Sequence, residues 1–265
     1  MFQSWSSFLS FREKAEHRER YFHSTRVQEF LGAVLATARE RVESVPKGKR
    51  YWRAQLGSDD EPCPDFDGQI VGYRVVPYSA KRMKPLPEKA CEGRVNPKGI
   101  PYLYLSTDEK TAISEVRPWV GSYVTVAEFE TRKPLRLVDC SLCEIDPVIQ
   151  TASDLDMLFR FESPVPEEVT RIVWRWIDLA FSDPVDRDDS TAGYIPTQII
   201  AELFKTNRFD GIKYKSLFNN GKNLALFDIN SAEQIDDGKV FQVTKVDVDF
   251  KQESPFSPEQ RAKHE

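Results

Sequence analysis

Histidine and cysteine are scarce in this 265-residue chain, and glycine-rich nucleotide loops are missing. The three histidines, His17, His23 and His264, lie near the ends of the chain. A Ser-His-Asp triad, a Cys-His pair or a histidine-rich zinc site in the middle of the chain is therefore disfavoured, because each needs an imidazole as base or ligand. The four cysteines are too scattered for a disulfide framework, and Cys140 with Cys143 form one CxxC lacking a second pair, so no metal site is expected. Neither GxGxxG nor GxxxxGK[ST] occurs, which removes the sequence basis for Rossmann or P-loop binding. No run approaches the ~18 apolar residues of a membrane span. The opening residues, MFQSWSSFLSFREKAEHRER, also lack the basic, apolar and small-residue order of a signal peptide. A cytoplasmic protein without membrane contact is the expectation. The formal net charge of −5 argues against direct nucleic-acid binding. It leaves room for a local anion site, and Lys81, Arg82, Lys84, Lys89, Arg94 and Lys98 form such a basic cluster in the sequence.

At 40% hydrophobic, the chain can bury one good-sized core plus an appendage. Three regions follow from its patterning. Residues 1–48 read as an N-terminal helical extension, with helices expected over Phe8–Arg20 and Thr25–Ser44. Val27, Phe30, Leu31, Val34 and Leu35 give the second an apolar stripe. That stripe needs cover from the rest of the chain or from a second copy, and a homodimer is the preferred expectation. Residues 49–245 alternate short strands with helices and read as one α+β catalytic domain. SYVTVAEFE and PLRLVD are strands, Asp154–Phe181 is mostly helical, and PTQIIAELFKTN is a helix with Pro196 in its first turn. Residues 246–265 are charged, poor in apolar side chains and read as a mobile tail.

The segment CEGRVNPKGIPYLYLSTDEKTAISEV, Cys91–Val116, carries the densest chemistry. Its Gly, Asn and Pro content marks a loop holding Arg94 and Lys98. PYLYLS then alternates, Leu103 and Leu105 on one face, Tyr102, Tyr104 and Ser106 on the other, as a half-buried strand does. Ser106 followed by Glu109 has capping-box form, so a helix is expected to start there and end before Pro118. On that helix Ala112 and Val116 make an apolar face, and Glu115 falls beside it, where a carboxylate is costly to desolvate unless something binds it. Two further segments stand out. RYWRAQLG, Arg50–Gly57, reads as a strand with Tyr51, Arg53 and Gln55 on one face; FDGIKYKSLFNNGKNLALFD, Phe209–Asp228, reads as strand, NNG turn, strand, with Ile212, Tyr214 and Ser216 sharing a face.

Together these segments resemble the RES domain family, named for its Arg, Glu and Ser residues. The family's Arg matches Arg53, its Glu matches Glu115 and its Ser matches Ser216. Its second arginine matches Arg94, and its active-site tyrosine matches Tyr104. The resemblance runs from about Arg50 to Asp228 with the order of all three blocks kept. It implies an ADP-ribosyltransferase-like mixed β core with surrounding helices, and an NAD-consuming bacterial toxin held by an Xre-type antitoxin protein. NAD would be the substrate rather than a cofactor, with inorganic phosphate or water as acceptor. In such a site Glu115, Arg53 and Ser216 are the expected catalytic residues, with Arg53, Arg94, Tyr104 and Ser216 holding the substrate. Two other readings stand beside it: transfer of ADP-ribose to a macromolecule, and a non-enzymatic binding domain. Arg53, Glu115 and Ser216 together speak against the second. Transferases of this fold often carry an acidic residue or glutamine two positions before their glutamate; Ile113 stands there in this chain, which favours a small acceptor.

Overall fold

Phe8, Phe11 and Ala15 recur along one face of α1 (Ser7–His17), as do Val27, Phe30, Leu31 and Val34 along α2 (Thr25–Ala38). This is the spacing that gives a helix one apolar side. The computed structural model describes residues 1–86, 90–142, 165–183 and 191–248. In it the two stripes meet through Phe11 and Phe30, stacked with centroids 4.7 Å apart. They join a core containing Val173, Trp174 and Phe181 of α5 (Pro166–Ser182) and Ile200, Ala201 and Phe204 of α6 (Ile195–Thr206). Tyr102 and, from the sheet, Ile212 and Ala225 complete it. The stripe that was expected to favour a dimer is thus covered by the same chain.

Both N-terminal helices end earlier than their periodicity suggests, α1 at His17 rather than Arg20 and α2 at Ala38 rather than Ser44. After α2 a single 3-10 turn, Arg39–Arg41, leads into strand β1 (Val42–Val45). The β-branched Val42 and Val45 prefer extended backbone. Pairing of Val42–Val45 with Leu135–Val138 of β7 (Leu135–Asp139) also satisfies backbone groups that a sheet edge would leave open. Residue 48 therefore lies between two strands of one sheet.

The other strands are β2 (Arg50–Leu56), β5 (Leu103–Ser106), β6 (Tyr123–Thr131), β8 (Gly211–Lys215), β9 (Lys222–Leu226), β10 (Ala232–Gln234) and β11 (Lys239–Gln242). They order as β1-β7-β8-β9-β5-β2-β6-β10, with β11 also on β6. β7 and β8 run parallel, while the remaining pairs among the described residues are antiparallel. The result is the expected α+β architecture, a mixed sheet with N-terminal helices. A separate hairpin pairs β3 (Asp59–Pro64) with β4 (Ile70–Val76); Pro62, Pro64 and the acidic run make β3 a poor strand former, whereas Ile70, Val71, Tyr73, Val75 and Val76 favour extended backbone in β4.

Helices α1, α2, α5 and α6 cover one face of the sheet. Tyr51, Leu103, Leu105, Phe129, Leu137, Leu224 and Leu226 form a second apolar layer with Tyr78 and Met83, the latter from the short helix α3 (Ala80–Met83). Helix α4 (Glu109–Glu115) seats Ala112 against Ala54, Val124 and Val126. One irregularity positions the site. β2 follows β6 along its whole length, but β2 and β5 are registered only at Trp52 and Ser106. Away from that pair the two strands lack a shared ladder, and a cleft opens there. Among the described residues no helix is long and apolar enough to cross a membrane. The part of the expected Asp154–Phe181 helix before residue 165, Cys143, Lys89 and the tail beyond Val248 lie outside the described residues.

Candidate active site

Ser106 is not the cap of α4. Its backbone stays in β5, paired with Asn223, and Asp108 caps the helix by accepting the Thr111 N–H at 2.8 Å. The helix runs one turn further and ends at Glu115, before Pro118 as expected. Placing Glu115 at the last residue of a short helix packed over β2 and β5 aims it at the ends of β8 and β9. There Ser216 Oγ donates to Glu115 Oε1 at 2.7 Å, and Asn223 Nδ2 donates to the same oxygen at 2.6 Å. The two residues expected to work together, Glu115 and Ser216, are thus in direct contact although 101 positions apart.

The turn between β8 and β9 is locked onto α4. Asn219 Oδ1 accepts from Thr111 Oγ1 at 2.7 Å and from the Gly221 N–H at 2.9 Å. Lys222 N–H donates to Thr107 Oγ1 at 3.0 Å. Gly221 lies so close to Thr111 and Asp108 that a Cβ would overlap their side chains. Gly221→Ala should therefore push the turn off α4 and destabilise the protein by roughly 1–3 kcal/mol, the usual cost of overpacking. A thermal melt superimposing on that of the parent would refute this close approach.

Arg53 projects from β2 to the other wall. Its Nη1 donates to the Tyr104 carbonyl at 2.9 Å, and its Nε is buried without a hydrogen-bond partner among the described residues. No carboxylate among those residues pairs with it. Burial pushes its guanidinium down to about 10, which still leaves it charged at neutral pH. Tyr104 donates its hydroxyl to Asn96 Oδ1 at 2.7 Å and accepts from the Val95 N–H at 3.2 Å, tying the basic loop to β5. Burial raises the Tyr104 phenol, so it remains a donor across the physiological range. Arg94 sits at the carboxyl end of α5, donating to the carbonyls of Phe181, at 2.8 Å, and Ser182. A cation there complements the helix dipole.

Trp52, Arg53, Arg94, Tyr104, Glu115 and Tyr214 line one cleft of about 890 Å³, within the range of small-molecule sites. All five residues singled out from the sequence meet around it, Ser216 through its bond to Glu115. Among the described residues, Lys81, Arg82, Lys84 and Lys98 of the basic cluster do not line the cleft. Lys84 pairs with Glu233 at 2.6 Å, and Arg82 lies over the Tyr78 ring. Arg117, unremarked in the sequence as a site residue, adds a cation at the rim. Asn223 was missed as well. The available signal was an amide within the apolar run of a strand, where asparagine is depleted.

A mixed sheet split between two strands, with Arg, Tyr, Glu and Ser gathered at the split, defines an α+β domain with a cleft of small-molecule size. The RES domain family model matches residues 72–250, more than half of the sequence, and the chain belongs to that family. Arg94, Tyr104, Glu115, Ser216 and Asn223 fall within the match, whereas Arg53 precedes it. No curated protein matches the chain. Among solved structures, a chain from the crystal structure of the M. tuberculosis MbcT–MbcA toxin–antitoxin complex is similar at a TM-score of 0.39 and 10% sequence identity, over 80% of this chain and 92% of that one.

Proposed function

We propose that this protein consumes NAD by cleaving the bond between nicotinamide and ribose, with inorganic phosphate or water as acceptor. In the cell this would make it a toxin restrained by an antitoxin protein of the Xre type. Membership of the RES family supports the substrate class and the partner. The observation that carries the chemistry is the pairing, in one cleft, of a carboxylate anchored through a single oxygen with an arginine that has no carboxylate partner among the described residues.

Nicotinamide leaves as a neutral molecule, so the bond needs little acid catalysis. The demand is on stabilising the oxocarbenium-like ribose left behind. Glu115 meets it, because Ser216 and Asn223 both occupy Oε1 and Oε2 takes neither bond. That second oxygen would hold the ribose hydroxyls and offset the developing positive charge, much as carboxylates do in glycoside hydrolysis. Arg53 would take the pyrophosphate, since its desolvated charge gains from an anion and its planar fork suits phosphate oxygens. Tyr104, with its hydroxyl engaged on the loop, presents its ring to the cleft for nicotinamide or ribose. Serine as nucleophile is disfavoured, because Ser216 donates to a carboxylate and, among the described residues, no histidine base stands beside it. Ile113 packs into the apolar cluster beneath α4 and offers no polar group to a macromolecular acceptor, which supports a small one.

Product identification after incubation with NAD at rising phosphate tests this. Nicotinamide release with ADP-ribose-1″-phosphate increasing with phosphate is the phosphorolysis outcome, and ADP-ribose at every phosphate level is hydrolysis. Label appearing on a macromolecule would point to transfer, and intact NAD throughout would overturn the proposal.

A further inference from the structure

The amide of Asn223 stands between two parts of the site. Its Nδ2 donates to Glu115 Oε1 at 2.6 Å, and its Oδ1 accepts from Ser106 Oγ at 2.8 Å. Asn223 is 4% exposed and Ser106 4% exposed, so neither group exchanges these partners freely with water. The strand register fixes the arrangement: Asn223 of β9 lies opposite Ser106 on one side and Tyr214 on the other. The ionised Glu115 carboxylate only accepts, so it takes the Nδ2 end of the amide, and the Ser106 hydroxyl, able to rotate, donates to the Oδ1 left facing it. Without Ser106 the Oδ1 end would lose its buried donor, and the amide would be held at one end only.

We infer that Asn223 is a positioning residue for the reaction, held in place by Ser106. Together with Ser216 it pins Glu115 Oε1 and thereby presents Oε2 to the ribose. The inference rests on the reading of Glu115 as the carboxylate that faces the substrate. Its physical content is orientation. A glutamate at the last residue of a short helix has three rotatable bonds, and one hydrogen bond from Ser216 leaves it free to swing about that contact. A second donor on the same oxygen, from a different strand, fixes the plane of the carboxylate. The same donor excludes a second acid from this position, because a carboxylate at 2.6 Å would oppose the charge on Glu115.

Three variants test this, each checked for a parent-like thermal melt. Asn223→Ala should lower kcat for NAD by about 10-fold or more, as expected for losing a hydrogen bond to a charged group, with a smaller change in KM. Ser106→Ala should show a weaker effect of the same kind. Asn223→Asp keeps the shape but replaces the donor by an acid, so the acid limb of the pH–rate profile should move to higher pH. Carbon-13 NMR of labelled glutamate side chains should show the midpoint of Glu115 moving up in the same variant, a readout that needs no turnover. A purely structural asparagine would leave kcat at the parent value in an Asn223→Ala variant whose melt matches the parent. Parent kcat in Asn223→Ala, or an unchanged Glu115 midpoint in Asn223→Asp, overturns the inference. If Glu115→Gln retains parent turnover, it is the NAD-cleavage role of Glu115 that fails, while the NMR midpoint still decides whether residue 223 contacts the carboxylate.

Discussion

Glu115→Gln is expected to lower NAD turnover by ~100-fold or more, the scale of removing a principal electrostatic element from an active site. The amide is nearly isosteric and its oxygen can still accept from Ser216 and Asn223, so the cleft should keep its shape and its affinity for NAD. What is lost is the negative charge facing the ribose as positive charge develops, which acts on the transition state more than on the bound substrate. The expected signature is therefore a fall in kcat with little change in dissociation constant, measured by single-turnover kinetics and by equilibrium binding. A variant as active as the parent would remove Glu115 from the chemistry. A variant that loses binding and thermal stability together would mark it as a structural residue.

Deleting residues 1–38 is expected to abolish the soluble folded protein. Phe8, Phe11, Val27, Phe30, Leu31 and Val34 are buried in one core with α5 and α6, and each contributes roughly 1.5–3 kcal/mol by leaving water. A domain's net stability is only about 5–15 kcal/mol, so losing this layer is not survivable by small adjustments. The deletion also strips Thr37 from the buried Trp174, whose Nε1 donates to the Thr37 hydroxyl at 2.9 Å. Soluble yield, far-UV circular dichroism and dye binding to exposed apolar surface should all report the collapse. A truncated protein that stays soluble, melts cooperatively and turns over NAD would show that the helices are dispensable.

Particular residues show how far the sequence could be read. Alternation in PYLYLS and RYWRAQ, and the NNG turn, placed β5, β2 and the β8–β9 pair because a strand's side chains obey a period of two wherever one face is buried. The same logic failed at Val42–Val45, where an amphipathic helix appeared to continue. The choice between helix and strand there depends on whether the edge of β7 is available, which is a long-range fact. Capping was misplaced by two residues, to Ser106 from Asp108, since both are polar residues before a helix and only the pairing of β5 with β9 commits Ser106 to the strand.

By itself, the sequence carried the α+β class, because local periodicity is written in neighbouring positions, and through its resemblance to the RES family it singled out Arg53, Arg94, Tyr104, Glu115 and Ser216 as site candidates. Tertiary structure alone decided that Glu115 meets Ser216 and Asn223 through one oxygen, that Arg94 spends its Nη1 on the end of α5, and that the N-terminal stripe is covered within the chain. Each of these depends on which distant strands and helices become neighbours. Local spacing does not encode that choice, which is made by the burial of a shared core and the satisfaction of its polar groups.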